Sequence, residues 1–171
     1  MALRLAPERY GTLTEVGAFL GRQGDWAQAE ELLHRAMDIA PNRDDAYRLL
    51  SAQLLRQGRG REAHRIALEG LSRAGPHPDL WGALSESYVL KGDLEAALRA
   101  RRAALGMDPE SVQEWARMGD LLEALGRIEE ASAARERAAG LGGGAGSAES
   151  PEPNSPEAPV GALRTEGGST S

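Results

Sequence analysis

The sequence predicts an all-α protein, and within that class an α-solenoid of four stacked helical hairpins. Three observations lead to this prediction. A glycine recurs every 34 residues, an alanine follows each of these glycines five positions later, and apolar residues recur between them at helical spacing. The glycines are Gly24, Gly58, Gly92 and Gly126, and the alanines are Ala29, Ala63, Ala97 and Ala131. A fixed period of this length is typical of a stacked helical array and not of a single globular core.

Composition narrows the classes of function. The chain has 171 residues, of which 41% are apolar, and a formal net charge of −6. The absence of cysteine excludes disulfides, thiolate zinc sites and cysteine nucleophiles, and the acidic balance argues against a nucleic-acid partner. No run of about eighteen apolar residues occurs, so we expect no membrane insertion, and we expect no metal and no cofactor. The sequence therefore predicts a cytoplasmic protein.

Each 34-residue unit is expected to form one hairpin of two helices. The glycine ends the first helix in a left-handed conformation, and the alanine lies where the two helices cross, which lets their backbones approach closely. Pro41 and Pro109 close the second helix of their units, because proline cannot continue a helix. The predicted organisation is a lead at 1–9, hairpins at 10–43, 44–77, 78–111 and 112–141, and a tail at 142–171.

This pattern resembles the tetratricopeptide repeat, whose signature is W-x2-L-G-x2-Y, then A-x3-F, then A and P. The third unit matches most fully, through Trp81, Leu84, Ser85, Tyr88, Ala97, Ala104 and Pro109. The second unit matches least, with Ser51, Ala67 and Gly70 in place of bulkier or more helical residues. The resemblance implies a right-handed superhelix in which the first helices of the hairpins line a concave face that holds ligand peptides.

Two arginines depart from the repeat signature. Arg101 and Arg135 stand where a large apolar residue is expected late in the second helix of units three and four. Arg135 fits a terminal repeat, whose outer face must be polar because nothing stacks on it. Arg101 is expected to face a neighbouring hairpin, where Glu114 or Glu123 would be its partner.

The resemblance also indicates which side chains face the concave groove. They are Thr14, Ala18, Arg22, Arg48, Ala52, Leu55, Arg56, Gly82, Glu86, Val89, Ala116, Asp120 and Glu123. Some chaperone-binding relatives grip a terminal carboxylate with lysines and asparagines on these helices. Because this chain has small, neutral or acidic residues at those positions, docking to a heat-shock chaperone is disfavoured.

Charge is unevenly spread along the predicted groove. Unit two is the only unit with more bases than acids, and Arg22, Arg48 and Arg56 lie at this end. Arginine binds carboxylates through paired hydrogen bonds, which predicts an acidic or C-terminal carboxylate group in the partner. Alternatively, these arginines pair on the surface with neighbouring acids, namely Asp44, Asp45 or Glu69. At the other end, the groove is predicted to be acidic through Glu86, Asp120 and Glu123.

No side chains are arranged for catalysis, and the sequence predicts a non-enzymatic protein-interaction module, a scaffold or adaptor. His77-Pro78-Asp79 is the tripeptide typical of J-domain co-chaperones, but the repeat register favours its interpretation as a helix start with proline in the first turn. Two other functions stay open: a specialised chaperone for a secretion or membrane-assembly subunit, and a self-assembling scaffold subunit. Oligomers are compatible with the repeat pattern and are not required by it.

The composition changes abruptly after Leu141. Residues 142–171 are rich in Gly, Pro, Ser and Glu, and such a segment buries too little surface to offset its ordering entropy. We therefore predict a disordered tail. Its acidic residues suggest a weak self-mask, in which Glu149, Glu152 or Glu157 occupies the basic end of the groove.

Overall fold

A computed structural model describes residues 9–143, and within that range the chain forms eight α-helices and no strand. The helices are α1 (Tyr10–Gln23), α2 (Trp26–Ile39), α3 (Asp44–Arg56), α4 (Gly60–Arg73), α5 (Pro78–Lys91), α6 (Leu94–Met107), α7 (Val112–Ala124) and α8 (Ile128–Gly143). Residues 1–8 of the predicted lead and residues 144–171 of the predicted tail lie outside the described residues. None of the helices in 9–143 is long and apolar enough to cross a membrane.

Consecutive helices pack as four hairpins, α1–α2, α3–α4, α5–α6 and α7–α8. The first helices of the first three hairpins also contact one another, from α1 to α3 and from α3 to α5, whereas successive second helices within residues 9–143 approach one another at most marginally. This arrangement curves the array around its first helices and confirms the predicted all-α solenoid. Helix α8 continues through Gly143, so it includes the first two residues of the predicted tail.

The repeated small residues take the expected roles in the hairpins. The four repeat glycines have φ between 73° and 87°, the left-handed region in which other residues are strained. The four alanines that follow them are at most 1% exposed, at the crossing of the two helices. Pro41 and Pro109 lie just beyond the last residues of α2 and α6.

The junction between α4 and α5 explains the His77-Pro78-Asp79 tripeptide. His77 is the N-cap residue of α5, and its Nδ1 accepts a hydrogen bond of 3.1 Å from the backbone amide of Asp79. Pro78 is the first residue of the helix, where its missing N–H is not needed. These residues therefore form a helix start, as the repeat register predicts.

The buried side chains divide into two clusters along the array. The larger cluster runs from Tyr10 in α1 to Ala100 in α6 and joins the first three hairpins. The smaller cluster contains residues of α6, α7 and α8, from Leu98 to Ala134. The last hairpin is thus held to the third by a separate apolar core.

Candidate binding groove

A cavity of about 600 Å³ lies along the first helices of the hairpins, with lining residues from α1, α3, α5 and α7. Its position corresponds to the predicted groove. The predicted residues that line it are Ala18, Arg22, Arg48, Ala52, Leu55, Arg56, Gly82 and Glu86. They include pairs four positions apart on one helix, which share a face. These eight residues are most of the lining that α1, α3 and α5 contribute.

Other predicted groove residues lie outside the cavity. Thr14 is 7% exposed, and its hydroxyl donates hydrogen bonds to the backbone carbonyls of Tyr10 and Gly11 within its own helix. Val89 is exposed at the end of α5 but does not line the cavity. Thr14 lies four residues before Ala18, and Val89 lies three residues after Glu86, the lining residues nearest to them on their helices.

On α7 the groove-facing stripe differs from the predicted one. Gln113, Glu114 and Arg117, in the first half of the helix, line the cavity, whereas Ala116 does not. Asp120 and Glu123 also lie outside it. Arg135 of α8 binds both carboxylates: its Nη2 is 3.2 Å from an Asp120 oxygen and also contacts Glu123. Arg135 is exposed, as expected for the terminal hairpin. Its side chain also packs across α7.

The sequence analysis missed several lining residues, and Gln53 is the most informative of them. Its side chain is 3% exposed, and its Nε2 donates a 3.1 Å hydrogen bond to the carbonyl of Gly17 on α1. A Cβ at Gly21 would lie 2.2 Å from the same Nε2, so α1 needs glycine there. Gly17 and Gly21 lie one helical turn apart in α1. This pair of glycines in the sequence could have indicated that a long side chain crosses the helix there. The other unpredicted lining residues are Leu49, Ser51, Asp79, Ala83, Gln113, Glu114 and Arg117.

Arg48 pairs with acids of its own chain, which is the alternative to binding a partner's carboxylate. Its Nη1 lies 2.9 Å from a carboxylate oxygen of Asp44, and its Nε lies 3.0 Å from one of Asp79. Burial alone would raise the pKa of the Asp44 carboxyl. The hydrogen bond from Arg48, together with weaker effects in the same direction, outweighs burial, so this pKa lies below its usual value. Arg48 is therefore already compensated by carboxylates of its own chain.

Arg22 and Arg56 do not pair with acids in the described part of the chain. Arg56 donates a 3.1 Å hydrogen bond from Nη2 to the carbonyl of Gly21, and its guanidinium carbon lies 4.9 Å from the centre of the Trp26 ring. Arg22 forms no hydrogen bond or ion pair with any residue in 9–143. Both arginines line the cavity, and neither meets a carboxylate in the described part of the chain.

The predicted acidic end of the groove is neutralised. Glu86 is bound by Arg117 of α7, and Glu114 is bound by Arg101 of α6 at 2.5 Å. Arg101 is 2% exposed, and Glu114 is the partner that it takes of the two predicted. This ion pair lies beneath Gly82, where an added Cβ would be 3.6 Å from both Arg101 and Glu114. Arg22 and Arg56 are consequently the uncompensated charges among the described residues that line the cavity.

Comparisons with known proteins agree with this architecture. Two tetratricopeptide repeat models match the chain, one at residues 22–86 and the other at 78–111, and together they span more than half of it. The fold is similar to that of MamA from Desulfovibrio magneticus RS-1, with a TM-score of 0.72 and 19% identity over 85% of this chain and 82% of the other. A second MamA crystal structure gives 0.72 and 18%, over 84% of each chain.

At such identities the likeness shows the fold alone, and no curated protein matches the sequence. The family models, the 34-residue period and the eight helices agree with one another. The chain belongs to the tetratricopeptide repeat family.

Proposed function

We propose that this protein is a cytoplasmic, non-enzymatic interaction module that binds an acidic segment of a partner protein in the groove. Arg22 and Arg56 are the residues that receive its carboxylates. One observation carries the proposal: each of the other charged side chains lining the cavity has an oppositely charged partner within residues 9–143. A ligand carboxylate therefore gains most at these two arginines.

The state of Arg56 supports this role. Its contacts with the Gly21 carbonyl and the Trp26 ring hold the guanidinium in one place, which lowers the entropy lost when a ligand binds. A guanidinium carries five N–H donors, so several stay available after the bond to Gly21. Hydrogen bonds between arginine and a carboxylate are about twice as strong as neutral ones, and a bidentate pair also fixes orientation.

The dimensions of the cavity favour a peptide segment over a folded domain. A volume of about 600 Å³ accommodates a few side chains, and its walls include Ala18, Ala52 and Gly82, which let a backbone approach the helices. Proteins of this family generally bind proteins or peptides. We infer a partner segment whose acidic residues lie towards the first two hairpins, with smaller or neutral residues over the third and fourth.

A peptide array tests the proposal. Twelve-residue peptides with acidic, neutral and basic compositions, each with a free or an amidated C-terminus, are probed with the intact chain and with Arg22→Glu/Arg56→Glu. The matched control is Arg61→Glu/Arg99→Glu, which makes the same change in charge at two exposed arginines outside the groove.

The intact chain and the control are expected to prefer acidic peptides. The groove variant should lose about tenfold or more in affinity, because each charge-assisted bond contributes about 1.5–3 kcal/mol. Equal losses in both variants would show a non-specific charge effect and contradict the proposal. A preference confined to free C-termini identifies the terminal carboxylate as the recognised group.

A further inference from the structure

A second cleft, of about 630 Å³, is lined by residues of α6, α7 and α8, none of which lines the groove. It separates α6 from α8, and α7 forms its floor. Its apolar surface comes from Leu105, Trp115, Met118, Leu122, Ala133 and Ala134. We call this the α6–α8 cleft.

Solvent reaches the apolar surface of the cleft at two of its residues. Trp115 is half-buried and Ala133 is exposed, whereas Leu105, Met118, Leu122 and Ala134 are buried. Counting back one 34-residue period, the position equivalent to Ala133 is the much larger Arg99. The small side chain of Ala133 therefore leaves the edge of the cleft accessible on α8.

The rim of the cleft is positively charged. Arg102 and Arg137 are exposed, and neither forms a hydrogen bond or ion pair within residues 9–143. The acid on the rim, Glu130, is compensated, because Arg127 binds both of its carboxylate oxygens at 2.7 Å. The surface therefore suits a segment that combines apolar side chains with flanking acids.

Residues 144–171 have this composition. They carry four acids and one base, and Val160 and Leu163 are their larger apolar residues. We propose that the segment from Glu152 to Leu163 docks in the α6–α8 cleft, with Val160 and Leu163 on its apolar floor and Glu152 and Glu157 towards the rim arginines.

The length of the connection fits this placement. Val160 follows Gly143, the last residue of α8, by 17 residues, which correspond to a root-mean-square span of about 21–25 Å for a flexible chain. Ala133 lies ten residues before Gly143, or about 15 Å back along the helix axis. A connection of this length gives an effective concentration on the order of millimolar, at which a weak contact is populated.

The absence of cysteine from the chain allows a direct test. Ala133→Cys/Leu163→Cys places one thiol on the exposed edge of the cleft and the other on the proposed anchor. Ser132→Cys/Leu163→Cys is the matched control, because Ser132 is exposed on the same helix one residue earlier and does not line the cleft. Disulfide formation is followed at low protein concentration in a glutathione redox buffer.

We expect an intramolecular disulfide to form roughly tenfold faster in the Ala133 pair than in the Ser132 pair, since docking raises the local concentration of the second thiol at the cleft. Adding Arg102→Glu/Arg137→Glu should remove most of this advantage. Equal rates in the two pairs would overturn the proposal. Intermolecular disulfides that increase with protein concentration would overturn it in favour of a second copy of the chain.

Discussion

The seam between the second and third hairpins and the seam between the third and fourth use the same positions for different chemistry. In the first, Ala67 of α4 and Leu80 of α5 are fully buried and apolar. One period later these positions are Arg101 and Glu114, which form a buried ion pair. The apolar core is continuous across the first seam, whereas the second has a separate core and the α6–α8 cleft.

The difference shows that a repeat pattern specifies each hairpin more strictly than it specifies how hairpins stack. Helix α4 contacts α5 more extensively than α6 contacts α7. Gly70 permits this packing, since a Cβ there would lie 3.0 Å from Cδ1 of Leu80 on α5. The equivalent residue at the next seam is Ala104. A few positions on the second helices therefore decide whether a seam is tightly packed and apolar or more open and ionic.

The largest expected effect on stability is at the ionic seam, between the third and fourth hairpins. Glu114→Ala leaves Arg101 buried without a charge partner, and we expect a loss of about 3–5 kcal/mol in the free energy of unfolding, measured by urea denaturation. Arg101→Ala/Glu114→Leu transfers the residues of the apolar seam. The double variant should recover most of the loss, because apolar replacements of a buried ion pair are often neutral or stabilising. A loss below about 1 kcal/mol for Glu114→Ala would mean that water compensates Arg101.

A smaller effect is expected at the apolar seam. Gly70→Ala places a methyl group 2.8 Å from Tyr47 and 3.0 Å from Leu80, and we expect overpacking to cost about 1–3 kcal/mol. Gly82→Ala is the control, because its methyl group meets neighbours at an ordinary distance of 3.6 Å or more. Alanine should stabilise α5 there by about 0.5–1 kcal/mol through helix propensity. Equal effects of both substitutions on the urea midpoint would rule out the close approach at Gly70.

The smallest expected effect is the pH dependence that His64 gives to the free energy of unfolding at the apolar seam. His64 of α4 lies 2.9 Å from the Ser87 hydroxyl and contacts the Tyr88 ring edge-on. Burial, with the charge of Lys91 second, lowers the pKa of His64 below its usual value of 6.5. The folded state then binds fewer protons than the unfolded state. The contribution of His64 to the free energy of unfolding is therefore complete above pH 6.5 and decreases as the pH falls from there towards the folded-state pKa.

The free energy of unfolding should therefore decrease between pH 7.5 and about pH 5.5. In His64→Leu, which carries the residue found at the equivalent Leu98, this decrease should be smaller by the contribution of one histidine. Urea titrations of both proteins across that range measure the difference. Identical pH profiles would show that the pKa of His64 is the same in both states.

The 34-residue period was enough to predict the hairpins and their glycine turns, because these follow from local geometry. It could not predict which long side chains meet across seams. Asp44 and Asp45 were considered for Arg48, but Asp79, from the next hairpin, was not. Gln113 and Arg117 were missed on α7 because the face that enters a curved groove depends on the accumulated rotation of the array.

The most direct test of the groove's role is an inversion of charge preference. An acidic peptide selected on the array and a basic peptide of matched length and hydropathy are titrated by fluorescence anisotropy into the intact chain and into Arg22→Glu/Arg56→Glu. If these two arginines receive the partner's carboxylates, the intact chain binds the acidic peptide more tightly and the variant binds the basic one more tightly. An unchanged order of affinities would contradict the assignment of this groove as an acid-binding site.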